Sequence, residues 1–123
     1  MNPFLEKVFE KAGLPIRKRS VEYNGTTIEF HVRELSADTI FKMYEGVNEA
    51  KNDKDKLKES RKLQSAILAR MVCDEKGEPM FTEEQANDPE FPRVLSDAIR
   101  EQALRVNGLW KDEPEKVDAT GKE

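Results

Sequence analysis

Cysteine occurs once in the 123 residues, at Cys73, and histidine once, at His31. A single thiol excludes an internal disulfide framework and suits a reducing compartment. A single histidine leaves no His pair for a metal and little material for a His-based proton relay. The six glycines are scattered singly, so no Gly-rich phosphate loop is present. No apolar run approaches the roughly 18 residues of a membrane span. Ala66 to Cys73 is the longest candidate, and Arg70 breaks it. The first residues lack the basic start and long apolar stretch of a secretory leader. Positive charge is not in excess either: 21 basic against 25 acidic side chains leave a net of −4. That balance argues against a dedicated binder of nucleic acid or of a membrane surface. A soluble, intracellular, non-catalytic protein without cofactor or metal is the expectation.

What is present is charge in quantity, 37% of residues, beside enough apolar material for one small core. Leu, Ile, Val and Phe together number 28. The length fits one domain, expected over residues 1–110. Its first element, residues 1–13, reads as an amphipathic helix. Asn2 caps it, Pro3 suits its first position, and Gly13 stands just past its end. Phe4, Leu5, Val8 and Phe9 fall on one face, continued by Ala12. The stripe serves either the domain's own core or a second chain. Phe4, Leu5, Val8 and Phe9 are therefore the candidate partner-binding residues, and self-association through this helix is a further option.

Residues 17–34 read as an antiparallel β-hairpin. Val21 and Tyr23 alternate with polar residues, Asn24-Gly25 signals a type I′ turn, and Ile28, Phe30 and Val32 alternate on the return. His31 falls on the outer face. Residues 36–108 form the helical part. Ser36 caps a helix with the stripe Ile40, Tyr44 and Val47, residues 51–56 read as a turn, and a long helix runs from about Lys56 to Cys73. Asp74 to Gly77 is a turn, Glu78 to Phe81 is extended, and Thr82 with Gln85 makes a capping box. A last helix starts between Asp88 and Pro92 and closes on Val106-Asn107-Gly108, with Leu95, Ala98, Ile99, Ala103 and Val106 inward. Residues 111–123 hold five acidic and three basic groups and no aromatic, the composition of a disordered tail. The fold class is thus α+β: one antiparallel β-hairpin packed against three to four helices.

No site chemistry survives inspection. An EF-hand needs Gly at its sixth position, whereas Gly77 is fourth from Asp74 and Lys76 occupies a ligand position. Cys73 sits beside Asp74 and Glu75, which disfavour a thiolate. From Lys51 to Arg70 there are seven basic and three acidic groups. Lys54, Lys56, Lys58, Arg61 and Lys62 are the residues a nucleic acid would use, but no aromatic lies among them to stack on bases. A solvated helix face, or attraction of an acidic partner or tail, suits the stretch better.

The order of elements resembles the tail assembly chaperones of long, non-contractile-tailed bacteriophages, over about residues 17–110. The resemblance rests on Val32-Arg33-Glu34-Leu35-Ser36 leading into a helix and on Ala69-Arg70-Met71-Val72-Cys73 closing one. Its most telling part is Val72, Asp74, Gly77, Pro79 and Phe81-Thr82 at their spacing, before the acidic Glu83-Glu84. The resemblance implies a chaperone that binds the tape measure protein in the host cytoplasm and is absent from the mature virion. It also implies a longer form, made by ribosomal frameshifting, that recruits the tail tube protein. Gly121-Lys122 is where such a slip would fall. A structural tail or head–tail completion protein and a small DNA-binding regulator are the competing readings.

Overall fold

A computed structural model describes residues 2–6 and 15–111. Its architecture is α+β, a three-stranded antiparallel sheet with several helices. Strands β1 (Ile16–Tyr23) and β2 (Thr26–Arg33) pair in full register from Ile16–Arg33 to Tyr23–Thr26. The turn between them has positive φ at both Asn24 and Gly25, the backbone that a type I′ turn demands and these two residue types tolerate. Helices α1 (Ala37–Glu49) and α2 (Asp53–Met71) follow, then β3 (Val72–Cys73), the short α3 (Glu83–Ala86) and α4 (Arg93–Val106).

Three expectations are corrected. The long helix does not run to Cys73. It stops at Met71, and Val72 turns extended to pair with Val32 while Cys73 pairs with His31. The open edge of β2 supplies backbone partners that a further helical turn would forgo. Residues 51–56 are not all turn either. Asn52 accepts the Asp55 N–H at 2.8 Å, and this cap starts α2 at Asp53. The buried stripe of α2 also differs from the expected Leu63, Ala66, Ile67, Arg70 and Met71. Ser65, Ala66, Ile67, Leu68 and Met71 are buried, whereas Arg70 is exposed and Leu63 half-buried. Four consecutive buried positions arise because α2 meets α3, α4 and β3 at once.

The core lies where β2, the second half of α2, β3 and α4 converge. Phe30, Val32, Ile67, Leu68, Met71, Val72, Ile99 and Ala103 are its centre. Opposed residues in an antiparallel pair share a face, so Arg19, opposite Phe30, points inward. Its Nε is buried with no hydrogen-bond partner among the described residues. Ser36 caps α1 as expected, accepting the Thr39 N–H. The Thr82–Gln85 capping box forms with both bonds at 3.0 Å. At the end of α4, Gly108 adopts φ +71°, and the Gly108 and Leu109 N–H groups bond the carbonyls of Arg105 and Leu104. That pair of bonds is a Schellman cap, and Asn107-Gly108 is its sequence signal.

Candidate functional site

Asp74 shows how local geometry accounts for a residue that resembles a ligand. Its Oδ1 accepts the N–H groups of Lys76 at 2.8 Å and Glu78 at 3.0 Å. Those backbone bonds, that from Glu78 foremost, hold its carboxyl below the usual carboxylate range. The oxygen is spent on the turn. Among the described residues no group of His, Cys, Asp and Glu is placed to hold a metal ion. Cys73 is fully buried and burial pushes its thiol up, the reverse of what a nucleophile requires. His31 lies half-buried on the central strand, on the face opposite Phe30 and Val32.

What the surface offers instead is apolar area. Asn2 caps the first helical turn, its Oδ1 accepting the Phe4 N–H at 2.7 Å. Phe4 is 70% exposed and Leu5 42%. Val8 and Phe9, the other two candidates, lie outside the described residues, as does the tail from 112 onward. Pro15 accepts the Glu34 N–H at 3.0 Å, which brings the chain back to the sheet at the point where β2 leads into α1.

Helix α1 is amphipathic yet has no fully buried residue. Ile40, Met43, Tyr44 and Val47 are half-covered, and Phe41 is 64% exposed. It rests on α2, where Gly46 comes so close that a Cβ there would meet the Glu59 carboxylate.

A second surface lies along the first half of α2. Two depressions of about 490 and 640 Å³ open there, one toward α3 and one toward α4. They share Leu57, Arg61, Ser65 and Asn87, so they form one continuous trough. Leu57 is 58% exposed within it. Sequence reasoning singled out the surrounding bases but not Leu57, although a lone large apolar residue in a charged stretch was the available signal.

Among the described residues no helix is long and apolar enough to cross a membrane. The profile of a protein family described as phage tail assembly chaperone (TAC) matches residues 10–105. No curated protein sequence matches the chain. Among solved structures, the chain is similar to the tail assembly chaperone of bacteriophage HK97, with a TM-score of 0.54 and 21% identity. The match covers 85% of this chain and 98% of that one, and it speaks to the fold.

Proposed function

The chain belongs to the phage tail assembly chaperone family, and on that premise we propose that it binds the tape measure protein and keeps it soluble until the tail tube assembles around it. Membership itself assigns a non-catalytic role in tail assembly, with tail proteins as partners. The observation that carries the finer reading is the match across residues 10–105, nearly the whole described chain. The surface supports it. A holdase needs apolar area to meet the exposed stripe of a partner helix and enough charge to keep the pair in solution. Phe4, Leu5, Phe41 and Leu57 supply the first, and a chain that is 37% charged supplies the second.

Phe4, Leu5, Val8 and Phe9 are the proposed contact at the N-terminal helix. Co-expression with the tape measure protein tests this. Phe4→Ser with Leu5→Ser should let the tape measure protein precipitate while the chaperone keeps its own melting temperature. A parallel fall in melting temperature would mean that these residues complete the core instead.

Recruitment of the tail tube protein belongs to a longer form made by frameshifting at Gly121-Lys122. The gene should then read G-GGA-AAG across these codons, with an open overlapping frame beyond. Other codons, with no slippery run nearby, would remove that form. The protein acts in the host cytoplasm and leaves before the virion matures. Mass spectrometry of purified virions should therefore find the tail tube protein but not this chain, whereas a structural tail subunit would be retained.

A further inference from the structure

The trough along α2 is built from unlike walls. Lys54, Lys58, Arg61 and Lys62 recur at helical spacing on one side of it, and Glu83 and Glu84 stand on the other. Of the four bases only Lys62 is engaged among the described residues, with Glu59 on its own helix. Among the described residues Lys54, Lys58 and Arg61 make no ion pair, although the molecule carries a net charge of −4. Two acids bordering the trough face other bases, Glu83 facing Arg70 and Asp97 facing Arg93 and Arg100, and Glu84 makes no ion pair among the described residues. Between the walls the exposed Leu57 stands above a floor that includes Ser65 and, deeper, the buried Leu68 and Ala86.

We propose that this trough is a docking site for an α-helical segment of a partner protein whose apolar stripe is bordered by Asp and Glu on one side. The stripe covers Leu57, and its acidic border lies against Lys54, Lys58 and Arg61. From Lys54 to Ser65 α2 rises about 17 Å, the length of a three-turn helix. Apolar contact alone would let a helix lie in either direction and slide. Opposite charge on one border fixes its side and direction, and like charge on the other wall penalises the reversed arrangement. In an acidic protein the same local excess of base steers an acidic helix to this face rather than to Phe41 or Phe4. The site rests on the partner-binding reading above for where such a helix comes from, but not for how it is held.

The test uses two synthetic amphipathic helical peptides on the full-length chain. They share a Leu stripe and length and differ in whether Glu or Lys borders it. Affinity is read by fluorescence anisotropy and location by backbone amide resonances. The Glu-bordered peptide should bind at least tenfold tighter and shift residues 54–65 and 83–87. Leu57→Asp should weaken it about tenfold or more. Lys58→Glu with Arg61→Glu should weaken the Glu-bordered peptide and strengthen the Lys-bordered one. That reversal separates charge complementarity from a general loss of structure, which circular dichroism of each variant monitors.

Equal binding of both peptides, binding of neither, or shifts centred on Phe41 would overturn the proposal. So would tight, salt-sensitive binding of a 20-base-pair DNA duplex by the same residues. If Lys58→Glu shifts resonances of residues 112–123 with no peptide present, the chain's own tail occupies the trough and the proposal fails. Loss of tape measure solubilisation with peptide binding intact would instead count only against the tape measure reading.

Discussion

Two side chains show how much a single residue's surroundings decide. Arg19 occupies an inward position on β1, and its Nε is buried without a partner among the described residues. An unpaired buried donor typically costs about 1–3 kcal/mol. Arg19→Met keeps the aliphatic length and removes the donor. It should raise stability by about 1 kcal/mol, read from the midpoint of urea denaturation. Asp74 is the opposite case, a fully exposed acid whose two backbone bonds favour its charged form. A carboxyl with a lower pKa in the folded than in the unfolded chain stabilises above the unfolded value, near 4, and that stabilisation is lost as pH falls through the folded one. The gap in melting temperature between the protein and Asp74→Ala should therefore be constant above about pH 5. It should close as the solution is acidified below about pH 4, measured by scanning calorimetry.

Among the elements, α1 and α4 are similarly amphipathic but differently held. Helix α4 packs on β1, β2 and α2 and buries Ile99 and Ala103. Among the described elements, helix α1 has its extensive contacts with α2 alone, and it contains no buried residue. Local opening free energy follows buried contact. Amide exchange should thus be fastest in α1, slower in α4 and slowest in β2 around Phe30 and Val32. If α1 is protected as strongly as α4 in the isolated chain, another surface already covers it in solution. Protection of α1 only on adding a tail protein would place that partner on the helix. The two-residue β3 matters beyond its length. By pairing with β2 it ties the end of α2 into the sheet and shields the strand's second edge.

At the scale of the whole molecule, Asn107 links three parts of the chain. Its Oδ1 accepts the Leu35 N–H at 2.8 Å, and its Nδ2 donates to the carbonyls of Arg33 at 3.2 Å and Ala103 at 3.1 Å. The end of α4 is thereby fastened to the end of β2 and to the lead into α1. Asn107→Ala leaves three partly buried backbone groups without that partner and should cost about 2–3 kcal/mol. For a domain of this size that is a substantial share of a total of about 5–15 kcal/mol. Asn107→Asp should lie close to Ala, because a carboxylate keeps the Leu35 bond but cannot donate to the two carbonyls. Chemical denaturation of the pair measures both.

Features encoded within a few residues were legible in the sequence. Asn24-Gly25 gives the hairpin turn, Ser36 the start of α1, Thr82 with Gln85 the capping box, and Asn107-Gly108 the end of α4. Each works through the backbone preferences and short hydrogen bonds of its immediate neighbours. The spaced residues from Val72 to Thr82 were equally readable, and with them the family. Other features depended on which distant segments met. Val72 and Cys73 became a strand because β2 offered an open edge far upstream, and Leu68 became core because three elements converge on α2. Asn107 became a fastener only once Arg33 and Leu35 lay beside it. The trough shows the same dependence: Leu57 and Leu68 belong to one helix, yet one is 58% exposed and the other 1%. Residue type places both on the apolar side of a pattern, but neighbours from α3 and α4 cover only Leu68, and burial requires those neighbours.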